Sequence, residues 1–241
     1  MYKIKIETLK RGTIELNFQN FSRFVWIAGH QIGVLRGYVD DTEEYLDSVS
    51  NILSKRFQQR ESLGAFDYLT PESTIIDIGS GVGIFDMILY KYIQGGHFVL
   101  VDESTVNHNH VVSHWSDNHG YYNDWNVFRD IAINSGIDIS KFTLQSPGLE
   151  WGNEADLIMS SHSYLWHYPL EVYIDQILEY PKAGLLFDIL NRPENNMERL
   201  NILRGQECKY AAMKPFAFHW FEDELTLEDG SAGKVCFYAK L

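Results

Sequence analysis

Between Ser73 and Ser104 the chain reads STIIDIGSGVGIFDMILYKYIQGGHFVLVDES. An apolar run carries Asp77 near its end, Gly79, Gly81 and Gly83 follow at alternate positions around Ser80 and Val82, and an amphipathic helical pattern begins. Glycines let a backbone turn sharply and approach a ligand closely, and the N-terminus of the following helix aims its free N–H groups at the same place. The GxGxG spacing is one residue shorter than the GxGxxG of dinucleotide sites, and Asp77 stands two residues before the first glycine. A carboxylate there is awkward beside a pyrophosphate and suits a cationic ligand without phosphate. Asp102 ends the next apolar run, nineteen residues past Gly83. An acid at a strand end can accept hydrogen bonds from both hydroxyls of a ribose. The competing readings are a strand-end turn residue at Asp102 and a dinucleotide in the loop.

DIGSGVG followed by LVDES resembles the first and second cofactor motifs of class I S-adenosylmethionine-dependent methyltransferases, and the resemblance covers residues 74–241. It implies S-adenosyl-L-methionine as cofactor and S-adenosyl-L-homocysteine as product. By the same resemblance Asp77, Gly79, Ser80, Gly81 and Gly83 embrace the methionine part, and Asp102, with Glu103 beside it, takes the ribose. The loop after the third strand, Gln145 and Ser146, flanks the adenine, and Ser160 completes the implied cofactor set at the end of the fourth strand.

A second stretch, Leu165-Trp166-His167-Tyr168-Pro169, is similar to the Leu-His-His-apolar-Pro that follows the fourth strand of small-molecule members, with Trp166 in place of one histidine. In an open α/β sheet, ligands sit outside the carboxyl ends of the strands near the switch in strand order. Methyl transfer to a hydroxyl needs the acceptor in line with the sulfonium and a base for its proton. Histidine titrates near neutrality, so His167 and His162 are the candidate catalytic bases; the alternative is that they only orient a loop. Ser160 to Ser163 stands where some amino-methylating relatives carry Asn-Pro-Pro-Tyr, which disfavours adenine or glutamine amide as acceptor. The reading that results is methyl transfer to a small-molecule acceptor at oxygen, nitrogen or carbon. The alternatives are a non-catalytic adenosyl-ligand-binding or partner-binding protein on a degenerate methyltransferase fold, and a nicotinamide oxidoreductase.

Composition narrows the partners. A net charge of −13 over 241 residues repels a polyanion, so no nucleic acid is expected as partner. The longest apolar runs, such as Ala183 to Leu190, fall far short of the roughly 20 residues that span a bilayer, so no membrane is expected either. The opening MYKIKIETLK alternates lysine with apolar residues and lacks the pattern of a signal peptide, so a cytoplasmic protein is expected. Cys208 and Cys236 are too few for a disulfide framework or a cysteine zinc site. His108, His110, His114 and His119 lack the acidic companion of a metal motif, so no metal is expected. The basic run Lys55 to Arg60 reads as the solvated face of a helix. Oligomeric state is not encoded in any of these patterns.

The elements that must position these residues follow from periodicity. Residues 1–69 form an N-terminal hairpin and helical cap, with alternation around Arg11-Gly12 and a helical pattern from Thr42 to Phe66 that follows the caps Asp40, Asp41 and Thr42. Residues 70–241 form the core, where short apolar runs alternate with amphipathic stretches, the mark of βα units. Strands are expected at Thr74–Ile78, His97–Val101, Phe142–Gln145, Ala155–Ser160 and Leu185–Leu190. Helices are expected at Ile84–Tyr92, Trp125–Asn134, Leu170–Tyr180 and Asn196–Arg204, with Ser104–Tyr122 undecided between helix and loop. The segments Glu207–Met213, Phe216–Phe221 and Lys234–Leu241 read as closing antiparallel strands. The expected fold is α/β and Rossmann-like: a mostly parallel seven-stranded sheet with antiparallel last strands, helices on both faces and an N-terminal α+β extension. Trp115, Tyr121, Tyr122 and Trp125 form one aromatic group that walls a ligand or packs in the core; Phe18, Phe21, Phe24 and Trp26 with His30 form another, an acceptor pocket or a packed cap.

Overall fold

The computed structural model describes residues 1–29, 41–102, 123–152, 154–161, 173–180, 183–190, 209–213 and 234–239. A hairpin of β1 (Tyr2–Glu7) and β2 (Thr13–Phe18) leads through the short helix α1 (Phe21–Phe24) to the long helix α2 (Thr42–Ser62). The core then alternates β3 (Thr74–Ile78), α3 (Ile84–Ile93), β4 (His97–Val101), α4 (Trp125–Asn134), β5 (Phe142–Gln145), β6 (Leu157–Ser160), α5 (Ile174–Leu178) and β7 (Gly184–Leu190). Two further strands, β8 (Lys209–Met213) and β9 (Lys234–Ala239), follow. Within its described part α5 lies inside the expected Leu170–Tyr180. The expected helix Asn196–Arg204, the strand Phe216–Phe221 and the undecided segment Ser104–Tyr122 lie outside the described residues.

The main sheet has the order β5-β4-β3-β6-β7-β9-β8. The five strands from β5 to β7 run parallel, whereas β9 pairs antiparallel with both β7 and β8. From β3 the chain builds outward through β4 to β5, then returns to place β6 on the other side of β3. Strand order therefore switches between β3 and β6, where the connections leaving the two strands diverge and open a crevice at their carboxyl ends.

Parallel strands buried on both faces read as continuous apolar runs, and β6 is buried at all four positions. Side chains alternate faces. Ile75 of β3 packs with Met87 and Ile88 of α3, Val127 and Phe128 of α4, and Leu186 of β7 in the larger core. Ile76 and Ile78 pack on the opposite face with Trp151, Tyr173 and Ile177. Asp77, in register with Ile75, belongs to the face covered by α2 and α3, and so does Asp188, two residues past Leu186.

The hairpin joins the larger core through Ile4, Ile6, Leu16 and Phe18, which meet Tyr45, Val49 and Phe57 of α2. Phe18 and Phe24 stack with centroids 4.0 Å apart, and Phe21 meets Tyr45 edge-on. These phenylalanines form a packed cap. Asp41 starts α2 by accepting from the backbone N–H groups of Glu43 and Glu44. At its other end Glu61 accepts from the N–H groups of Leu9 and Lys10, tying the hairpin turn to the helix. No helix among the described residues is long and apolar enough to cross a membrane.

The expectation of a solvated basic face on α2 is overturned: Arg56 is 5% exposed and Arg60 1%. Four residues apart, they share the inward helix face with Leu53 and Phe57. The charge run was misleading because a partner comes from far along the chain. Arg60 Nη2 lies 2.7 and 2.6 Å from the two carboxylate oxygens of Asp188, which is fully buried at the end of β7. The same nitrogen donates to Ser161 Oγ at 3.2 Å, and the guanidinium lies 4.6 Å from the ring centroid of Phe85. Burial draws the Arg56 guanidinium down to about 10, with Asp188 opposing the shift and Arg60 adding to it. Removing one partner of a buried pair leaves an uncompensated charge at a cost of roughly 3–5 kcal/mol. Asp188→Leu is therefore expected to lose about that much stability in urea denaturation, and the double variant Arg60→Met/Asp188→Leu to recover most of it.

Candidate functional site

The loop from Gly79 to Gly83 leaves β3 and enters α3 at the switch in strand order. Gly79, Gly81 and Gly83 have φ of 72°, 58° and 65°, left-handed conformations that side-chain-bearing residues rarely adopt. Gly79 N–H donates to the Val101 carbonyl at 2.7 Å, Gly83 N–H to Ser80 O at 3.0 Å, and Met87 N–H to Gly83 O at 2.9 Å. The turn is thus anchored to β4 on one side and continues into the helix on the other. Gly83 has a further reason to lack a side chain: a Cβ there would stand 2.9 Å from Leu100 Cδ1 and 3.2 Å from Phe128 Cδ2. Its glycine is required by the close approach of α3 to the sheet.

Asp102 follows β4, half-buried, and its Oδ2 accepts the Gly81 N–H at 2.6 Å. Its own N–H donates to Gln145 O at 3.0 Å, so the carboxyl ends of β4 and β5 and the glycine loop meet here. Gln145 turns its side-chain amide to the Glu150 carbonyl at 2.6 Å, and Ser146 is exposed beside it. Ser160, 1% exposed, donates its hydroxyl to the Ile78 carbonyl at 2.6 Å and binds β6 to the root of the loop. Asp77, Gly79, Ser80, Gly81, Gly83, Asp102, Gln145, Ser146 and Ser160 are thereby all placed at the carboxyl edge of the parallel strands. His162, His167 and Glu103 lie outside the described residues, as do Trp115, Tyr121 and Tyr122 of the aromatic group; Trp125 packs against the larger core on α4.

The electrostatics beneath the loop are unusual. Asp77 is 2% exposed and Asp86, in the first turn of α3, is fully buried. Burial raises the Asp77 carboxyl well above the usual carboxylate range, Asp86 and then Asp102 push it further up, and Arg60 pulls it back. Burial likewise lifts Asp86 to about 7. Asp77 Oδ1 and Ser80 Oγ are buried and meet no hydrogen-bond partner among the described residues. Buried polar atoms without partners are rare, and at the mouth of a glycine loop they have the chemistry to meet a ligand that carries both a cationic and an anionic group.

Sequence reasoning passes over Asp86 and Asp188, and it takes Arg56 and Arg60 for a solvated face. For Asp86 a signal existed, because IFDMILYKYI is otherwise apolar through its first turns and a charge there must be buried. Two surface depressions, of about 580 and 240 Å³, flank Gln19 and Asn20 near the N-terminal hairpin, and no residue of the glycine loop lines them. The first belongs to the cap, the second lies between the cap and α4, and neither touches the chemistry above.

No family model matches the chain, and no curated protein matches it in sequence. Solved structures are similar to it at low identity. They include a precorrin-6y C5,15-methyltransferase from Geobacter metallireducens (13% identity, 76% of this chain and 86% of that one, TM-score 0.47). M. jannaschii TYW2 in complex with AdoMet is similar at 10% identity over 76% of each chain, with a TM-score of 0.44. An rRNA methylase from Streptococcus thermophilus is similar at 12% identity over 77% of this chain and 96% of that one, with a TM-score of 0.46. These likenesses are distant, with identities of 10 to 13%.

Gly83→Ala is expected to destabilise the fold by roughly 1–3 kcal/mol, through left-handed strain and the clash with Leu100, as measured by thermal and urea unfolding.

Proposed function

We propose that this protein is an S-adenosylmethionine-dependent methyltransferase of the class I, Rossmann-like type, acting on a small-molecule acceptor. The observation that carries the reading is the glycine loop at the strand switch, with the buried Asp77 at its root and Asp102 closing it from the end of β4. The seven-stranded order with one antiparallel strand beside the outermost supports the same reading, since it is the sheet expected of that fold.

The residues present fit the cofactor. Asp77 would accept from the ammonium of the methionine part, and the Ser80 hydroxyl would meet its carboxylate. Asp102, with Glu103, would take the ribose hydroxyls, Gln145 and Ser146 would flank the adenine, and Ser160 holds the floor between β3 and β6. The bound sulfonium would supply an electrophilic methyl group. The chain's part is to hold the acceptor in line with it and to exclude water. For a hydroxyl acceptor a base must take the proton, and His167 and His162, which follow β6 in the sequence, are the candidates.

The net charge of −13 supports a small acceptor over a nucleic acid, because phosphate neutralisation needs basic residues and two arginines of the basic run are buried. The absence of charge complementarity to a polyanion also fits a cytoplasmic enzyme of small metabolites, which is part of the proposal.

Calorimetric titration is expected to show saturable binding of S-adenosylmethionine and S-adenosylhomocysteine, with NAD failing to compete; tighter binding of NAD would overturn the reading. Asp102→Asn is the sharper test. An asparagine oxygen can still accept from Gly81 N–H, whereas one ribose contact is lost, and a charged hydrogen bond is worth roughly 1.5–3 kcal/mol at about 1.4 kcal/mol per tenfold. The expected result is a ten- to hundredfold loss of affinity for S-adenosylhomocysteine with little change in melting temperature. Unchanged affinity would remove Asp102 from the ribose site.

A further inference from the structure

Asp77 and Asp86 stand at the two ends of the glycine loop, one on β3 and one on α3, and their carboxyls lie within hydrogen-bonding reach of each other. Both are buried, Asp86 completely. Asp77 Oδ1 and both oxygens of Asp86 meet no donor from another described residue. Two carboxylates cannot touch in a buried site with both ionised, because each is an acceptor only and their repulsion is barely screened. Something positive must lie between them. The Arg60 guanidinium lowers the charge cost at Asp77 from a distance, but its Nη2 is committed to Asp188 and Ser161 and its Nη1 to the Arg56 carbonyl. What remains is a proton.

We propose that Asp86 is a positioning residue of the ligand site: it shares one proton with Asp77, so that the pair presents a single, oriented negative charge to the cationic group of the ligand. The inference rests on the function proposed above and names the feature of the site that selects an ammonium-bearing ligand. Asp86 itself does not touch the ligand; it acts through Asp77. The groups that face the pair are Asp102 from the end of β4, which raises its proton affinity, and Arg60 from α2, which lowers it; Arg60 is in turn balanced by Asp188 of β7 beside Arg56. The protons of such a pair belong to both residues jointly.

The sign of the pH effect follows from this. In the unfolded chain both acids ionise near pH 4, whereas in the folded protein burial lifts Asp86 to about 7 and raises Asp77 well above the usual carboxylate range. From about pH 4 upward the folded state binds more protons than the unfolded one, so stability falls as pH rises through the range in which Asp86 titrates. An asparagine at position 86 would supply a permanent N–H donor to Asp77 and remove the titration of Asp86, leaving burial alone to hold Asp77 up.

Three proteins test the proposal: wild type, Asp86→Asn and Asp86→Ala. Ligand-free melts from pH 4 to 8 should show the decline in wild type and a clearly shallower one in Asp86→Asn. Calorimetry at pH 6 with S-adenosylhomocysteine should find Asp86→Asn within about threefold of wild type and Asp86→Ala at least tenfold weaker. 5′-Methylthioadenosine, which keeps the adenosine but has no ammonium, should bind all three alike. Equal pH slopes of stability in wild type and Asp86→Asn would overturn the shared proton. Unchanged binding in Asp86→Ala, or a loss in Asp86→Asn as large as in Asp86→Ala, would overturn the positioning role. If Asp86→Ala does not fold, Asp86→Asn and the melts still decide. If wild type binds no adenosyl ligand, the proposed function falls together with the positioning role, and the ligand-free melts alone then judge the proton.

Discussion

Arg60 and Asp188 meet with both side chains closed off from solvent, and much of the arrangement at the sheet edge follows from that contact. One comes from the helix that precedes the core and the other from its fifth parallel strand, 128 residues apart in sequence. Their pairing holds α2 against the carboxyl ends of β6 and β7 at the same edge where the glycine loop emerges. A buried ion pair adds little net stability compared with apolar packing, but it tolerates few alternative arrangements, since any misplacement leaves a bare charge in the interior. The N-terminal segment is thereby held in one position on the face that carries Asp77.

Several acids crowd this edge. Asp77, Asp86, Asp102 and Asp188 each end up near the carboxyl ends of the parallel strands, and each is compensated differently. Asp188 has arginine. Asp102 has the Gly81 N–H and stays half-exposed, where water screens it. The Asp77–Asp86 contact has neither, and a carboxyl pair without a donor either holds a proton or waits for a cation. This graded compensation gives the site its chemistry: charge is neutralised where the fold needs rigidity and left incompletely satisfied where the loop opens. Buried orphan groups of this kind cost stability and are expected where a ligand will complete them.

How much of this could be read beforehand depends on the range of the interaction involved. The strands β3, β4 and β5 and the helix α4 coincide with the expected segments, because their apolar periodicity is a local property and all are packed in the way that periodicity anticipates. The strand β6 begins at Leu157, two residues later than expected, as Asp156 spends its carboxylate on the Thr74 N–H at the strand's entry. The glycine loop was equally legible, since the need for left-handed backbone is written in the residue type itself. The basic run was misread. Helical spacing shows that Arg56 and Arg60 share a face, but whether that face meets water or Asp188 depends on a strand more than a hundred residues downstream.

The amino-acid sequence by itself determined the βα alternation, the place of the glycine turn and the two acids, Asp77 and Asp102, that flank it, because backbone preference and apolar periodicity act within a few residues. Tertiary structure alone decided which charges are buried together. It set Asp86 against Asp77 under the loop, turned Arg60 inward to Asp188, and revealed that Gly83 is small for the sake of Leu100 and Phe128. The physical reason is that desolvation and Coulomb energy depend on what surrounds a group in space, and no local pattern specifies those neighbours until the sheet has brought its strands side by side.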